Sequence, residues 1–175
     1  MILPQPEILI VDDDANFRVL LEEYFNKQGF RAAAVSGGED AINLLSEKEF
    51  DVALLDLVMP GMDGYDVMDF INDQELSTHV IVITGYASKQ SAVASLRKGV
   101  YDFLGKPLDL EELYVSVQNA VGRKRSRDEK EQTKAALIKA YNDMETEIRQ
   151  QPAELSRKHY KLDNEIKQLN SAETA

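Results

Sequence analysis

From Glu7 to Val121 the chain alternates short apolar runs with segments whose apolar residues return every three or four positions. Glu7–Val11, Phe30–Val35, Asp51–Leu55, His79–Ile83 and Tyr101–Leu104 are runs of strand length. Between them, Ala15–Gln28 carries Phe17, Leu20, Leu21, Tyr24 and Phe25 at helical spacing. Glu39–Glu47, Asp63–Asn72, Ser88–Lys98 and Asp109–Val121 read as four further helices. Strand and helix therefore repeat five times. Strands this continuously apolar are buried on both faces, which predicts an α/β fold: a doubly wound parallel sheet with helices on each side. In such sheets a ligand site lies beyond the carboxyl ends of the strands.

Polar groups collect at those ends. Asp12-Asp13-Asp14 follows the first strand, Asp56 ends the third, Thr84 follows the fourth and Lys106 follows the fifth. Asp14 is placed to cap the first helix. After Asp56, Val58-Met59-Pro60-Gly61-Met62-Asp63-Gly64 reads as a turn, with Pro60 presetting φ and both glycines permitting positive φ. Each group alone has an ordinary reading: a solvated turn, a cap, a surface lysine. Together they form an inventory for Mg²⁺ and a phosphoryl group. Carboxylates that meet repel unless a cation joins them, Mg²⁺ favours carboxylate and phosphate oxygens, lysine offers phosphate a point charge, and an aspartate can be phosphorylated as a nucleophile.

In order and spacing, these segments resemble the receiver domain of bacterial two-component response regulators over about residues 5–121. The matching stretches are ILIV with Asp12-Asp13, LLDLVMPGMDG around Asp56, VIVITGYAS around Thr84 and YDFLGKP around Lys106. The resemblance implies a five-stranded flavodoxin-like sheet of order 2-1-3-4-5. It implies that Asp56 accepts a phosphoryl group from a histidine kinase or histidine phosphotransfer protein. Asp12 and Asp13 would hold Mg²⁺ with Asp56 and the backbone carbonyl of Val58. Lys106 and Thr84 would bind phosphoryl oxygens, Phe103 would be the switch aromatic alongside Thr84, and Lys106–Pro107 would be cis. Val58 and Tyr86 would tune hydrolysis; neither side chain is an acid or base at neutral pH, so a long-lived acyl phosphate is expected. Val100 stands where alanine is usual in the family.

Charge and composition narrow the remaining classes. Residues 1–121 hold 8 Lys/Arg against 21 Asp/Glu, a net of −13, and residues 122–175 hold 12 against 10, a net of +2; together they give the −11 of the chain. The acidic part does not suit nucleic acid, and no direct DNA binding is expected. Arg123-Lys124-Arg125-Ser126-Arg127 is followed at once by acidic residues and reads as a solvated linker. With no cysteine, disulfides and thiolate metal sites are excluded. Without a long apolar run the chain is expected to be cytoplasmic, with no membrane contact.

Residues 122–175 read as a helical tail. Leu137, Tyr141, Met144, Ile148, Gln151 and Leu155 follow a heptad seam, and His159, Leu162, Ile166 and Leu169 resume it after a one-residue slip near Pro152. Either the fifth helix continues as a coiled coil that forms a homodimer or docks a partner, or the tail folds as a hairpin turning near Gln151-Pro152. The leading expectation is a phosphorelay response regulator that is not an enzyme and whose output is association through the tail. The alternative is the receiver portion of a longer regulator with a cyclase or phosphodiesterase domain. A hydrolase with an aspartyl-phosphate intermediate would want a carboxylate where Val58 stands.

Overall fold

Ile8, Leu9, Ile10 and Val11 leave no polar face, and the computed structural model buries all four. It describes residues 4–85 and 89–173; the side chains of 89–91, 147–159, 163 and 165–173 lie outside that description. The elements are β1 (Glu7–Val11), α1 (Ala15–Lys27), β2 (Arg31–Val35), α2 (Gly38–Glu47), β3 (Val52–Leu55), α3 (Gly64–Asp73), β4 (His79–Thr84), α4 (Lys89–Arg97), β5 (Asp102–Gly105) and α5 (Leu110–Glu173). All strand pairs are parallel, in the order β2-β1-β3-β4-β5.

Alternate residues of each strand feed opposite faces, because side chains in a strand have a period of two. Leu9, Val11, Ala53 and Leu55 join Leu45 of α2 and Val67, Met68 and Ile71 of α3 in one core. Ile8, Ile10, Val52 and Leu54 join Leu21 and Phe25 of α1 and Leu113 and Val117 of α5 in the other. The central strands β1, β3 and β4 are almost wholly buried, whereas the edge strand β2 is only partly so. Val100 is accommodated in the first core.

The loops that shape the upper edge are set locally. Asp14 caps α1, accepting from the N–H groups of Asn16 (2.9 Å) and Phe17 (3.2 Å). Asp63 caps α3 in a reciprocal box with Asp66. Of the two glycines in the β3–α3 turn, Gly61 does take a positive φ (79°). Gly64 is needed for a different reason: a Cβ there would stand 2.2 Å from the carbonyl oxygen of Asp56. The start of α3 thus closes directly onto the backbone of the strand-end aspartate, with the Gly64 N–H donating to the Leu57 carbonyl at 3.2 Å.

One expectation is corrected at the opposite edge. Residues 123–127 are not a solvated linker throughout: Lys124 is 4% exposed. Its Nζ donates to the Phe50 carbonyl (3.0 Å) and pairs with Asp51 (3.3 Å), whose carboxylate in turn accepts from the Glu7 N–H. Arg125 donates to the Pro4 carbonyl at 2.7 Å. A buried lysine is tolerated because a carboxylate and a carbonyl replace its water. The chain divides into a unit of Met1–Ser126 and one of Arg127–Ala175. In the second unit the backbone is helical through Gln151 and Pro152.

Two substitutions test this construction by urea denaturation. Gly64→Ala forces a Cβ into backbone and is expected to cost about 2 kcal/mol or more. Gly122→Ala, on α5 where a Cβ meets nothing within 4 Å, should stabilise by about 0.5–1 kcal/mol through helix propensity.

Candidate phosphoryl and metal site

Four of the five strand ends place one polar residue at the same edge. Asp12 follows β1 and is 2% exposed, Asp56 follows β3 and is 7% exposed, and Thr84 closes β4 fully buried. Lys106 follows β5, and its bond to Pro107 is cis as expected. The parallel register makes this convergence unavoidable: Val11 pairs with Leu55, Leu55 with Val82, and Thr84 with Gly105.

Lys106 is the hub. Its Nζ lies 2.6 Å from Asp12 Oδ2 and 2.9 Å from Asp56 Oδ2, and 4.4 Å above the centre of the Phe17 ring. The other carboxylate oxygens are also held: Asp12 Oδ1 accepts from the Asp14 N–H (2.9 Å), and Asp56 Oδ1 from the Val58 N–H (3.1 Å). Arg18 Nη1 donates to the Asp12 carbonyl at 2.7 Å. Burial pushes the Asp12 carboxyl above the usual carboxylate range, against the opposing pull of Lys106. Burial also pulls on Lys106, downward, but the hydrogen bonds and charges of Asp12 and Asp56 outweigh it and leave the ammonium raised. The two directions agree physically: two buried carboxylates compete for one cation, so the lysine is over-stabilised while the deeper acid remains under-compensated.

Asp12, Asp13 and Asp56 bring carboxylate oxygens within 4.8 Å of one another, with Asp13 exposed. The donor set is all oxygen, has one open side and carries more negative charge than Lys106 neutralises. That chemistry fits a hard divalent cation. Val58 is half exposed at the mouth of this site, Phe103 on β5 is half buried against the α2–α3 core, and Tyr86 lies outside the described residues. Two contributors were missed from the sequence: Phe17 beneath the lysine, read only as a helix-face apolar residue, and Arg18 on the Asp12 backbone. A ring four residues after the acidic pair gives no local signal of this role, because Lys106 meets it only in the fold.

Lys106→Met removes the shared cation while keeping the stem. In Mg²⁺-free buffer at pH 7 it should lose about 1–3 kcal/mol of stability, the cost of leaving buried carboxylates uncompensated. The pH dependence has a definite sign. A raised Asp12 favours the folded state below the unfolded value of 3.8 and loses that contribution as pH rises through its folded pKa. Removing Lys106 raises Asp12 further, so the variant's deficit should shrink as pH is lowered toward the carboxylate range. At the alkaline end, the wild-type advantage from the raised Lys106 persists below 10.5 and is lost as pH passes its folded pKa. Chemical denaturation across pH checks both limbs.

Comparison with known proteins agrees with this fold. Residues 8–118 match the family described as response regulator receiver domain. The chain is 41% identical over 114 residues to the regulatory protein AtoC of Escherichia coli K12, covering 65% of this chain and 25% of that protein. It is 29% identical over 138 residues to the DNA-binding transcriptional regulator NtrC of Proteus hauseri, covering 78% and 29%. It thus spans about a quarter of the length of these relatives. The crystal structure of the signal receiver domain of a putative Luxo repressor protein from Vibrio parahaemolyticus superposes with a TM-score of 0.67 at 33% identity, covering 71% of this chain and 96% of that one. No described helix is long and apolar enough to cross a membrane. This chain belongs to the response regulator receiver domain family of two-component signalling proteins.

Proposed function

We propose that Asp56 is the phospho-acceptor of this receiver and that the helical tail carries its output through association. The observation that supports this most directly is Lys106 shared between Asp12 and Asp56 at the carboxyl edge of the sheet. It marks a place where negative charge is concentrated and a cationic group is ready to meet more. In the proposed step a carboxylate oxygen of Asp56 attacks the phosphorus of a phosphohistidine on a sensor kinase or phosphotransfer protein. The O–P bond forms, the P–N bond breaks and imidazole leaves. Asp12, Asp13 and Asp56, with the Val58 carbonyl, would hold Mg²⁺, which when bound would neutralise charge on the transferring group. Lys106 and Thr84 would take phosphoryl oxygens, since a buried hydroxyl and an ammonium are suited to a dianion in a site of low dielectric. The chain then acts as a switch, not as a turnover enzyme.

Thr84 and Phe103 stand on adjacent strands, β4 and β5. Movement of Thr84 toward a phosphoryl group would free space for Phe103, biasing a two-state equilibrium of the β5–α5 surface. Val58 and Tyr86 offer no acid or base to activate water, so the acyl phosphate should be long-lived. The reading assigns no DNA contact to residues 1–175; because the chain spans about a quarter of its curated relatives, an output domain beyond it is the second reading.

Asp56→Ala should abolish labelling by a small-molecule phosphoryl donor in Mg²⁺, read by intact-mass spectrometry, while Asp13→Ala should reduce it. A phosphoryl half-life of seconds, insensitive to Val58→Asn and Tyr86→Ala, would contradict the slow-hydrolysis part. Light scattering with Mg²⁺, before and after beryllofluoride, addresses output. A change in mass that is lost in Asp56→Ala makes association the switched event, an unchanged dimeric mass makes assembly constitutive, and a mass that stays monomeric overturns output through association.

A further inference from the structure

The described part of the tail turns its apolar residues to solvent: Leu137 is 70% exposed, Tyr141 61%, Met144 53% and Leu162 56%. Because the backbone is helical from Leu110 to Glu173, a single heptad frame spans the tail and the slip disappears. With Tyr141 at position a, Ile148, Leu155, Leu162 and Leu169 fall at a as well, five in a row. Position d runs Leu137, Met144, Gln151, Lys158, Glu165, changing from apolar to charged. Residues 147–159 and 165–173 enter here only through their sequence positions on a helical backbone.

That asymmetry decides the partner's direction. A parallel, in-register pair would set Lys158 against Lys158 and Glu165 against Glu165 in successive core layers, where like charges are most costly. Antiparallel pairing sets a against d instead. We propose that residues 137–169 pair with a second copy of this chain as an antiparallel two-stranded coiled coil centred near Ala153. The apolar d residues then meet apolar a residues, Met144 opposite the partner's Leu162 and Leu137 opposite the partner's Leu169. Lys158 falls opposite Ile148 and Glu165 opposite Tyr141, so neither core layer sets like charge against like.

Charge complementarity at the flanks fixes the register. In an antiparallel pair e faces e and g faces g. This centre brings Glu147 to the partner's Lys161, Glu145 to the partner's His159 and Ile138 to the partner's Ile166. Moving the centre by half a heptad to the next allowed register sets Glu147 against Glu154 and Ile138 against His159. Two like-charge contacts remain, Glu154 with itself at the dyad and Glu131 with Glu173 at the ends, both at flanking positions. Long side chains at the flanks of a coiled coil can turn into water. The inference rests on the reading of the tail as an association device, and its test separates the two.

The chain has no cysteine, so single cysteines in the full-length protein report pairing directly. Met144→Cys and Leu162→Cys chains, mixed and oxidised, should form the mixed disulfide in preference to either homodimer. Each alone should crosslink no faster than an outward-facing Asn142→Cys control. Independently, Glu147→Lys should weaken dimerisation by about tenfold in light scattering, and adding Lys161→Glu should restore it, as expected of a directly paired flanking charge. Rapid self-crosslinking of Leu162→Cys, or failure of the charge swap in a protein that still dimerises, overturns the antiparallel register and leaves tail association standing. A wild-type chain that stays monomeric at all concentrations, with and without beryllofluoride, overturns both.

Discussion

One cation between two buried carboxylates organises this molecule. Lys106 holds Asp12 and Asp56 from the end of β5, so three strands that are separate in sequence are tied at one point. The arrangement carries excess negative charge by construction: two buried acids and an exposed third share one ammonium. Burial raises the Asp12 carboxyl, and the hydrogen bonds and charges of Asp12 and Asp56 raise Lys106 against its own burial.

The rest of the fold keeps that point in place. Buried β1, β3 and β4 fix the carboxylates to within the register of the sheet, and Gly64 lets α3 close against the backbone of Asp56. Phe17 supports the lysine from below with its ring face, adding a weak attraction that also limits where the ammonium can go. The opposite edge is tied separately: Lys124 and Arg125 join α5 to Phe50, Asp51 and Pro4. The two edges have different jobs. One is charged and open; the other uses its charges only to satisfy backbone and pin a helix.

Much of this was legible in the sequence because each signal is local. A strand buried on both faces must be apolar at every position, so β1, β3 and β4 stand out without any partner in view. Asp14 and Asp63 precede helices and cap them by bonds two and three residues away. Signals that depend on distant neighbours were misread. Gly64 resembled a second positive-φ turn residue, but its small size matters against the Asp56 carbonyl. Lys124 sat in a basic cluster and resembled linker, because its burial depends on Phe50 and Asp51, more than seventy residues earlier.

The sequence by itself determined the alternation of strands and helices, the polar residues at strand ends and the seven-residue repeat of the tail, because all of these are periodicities or neighbours along the chain. Only the tertiary structure decided that Lys106 is shared by Asp12 and Asp56 over Phe17, that Gly64 is sterically required, and that the helix runs unbroken through Pro152. The reason is the same in each case: these depend on what lies across the sheet or on whether neighbouring turns compensate one lost hydrogen bond, and no local pattern encodes either.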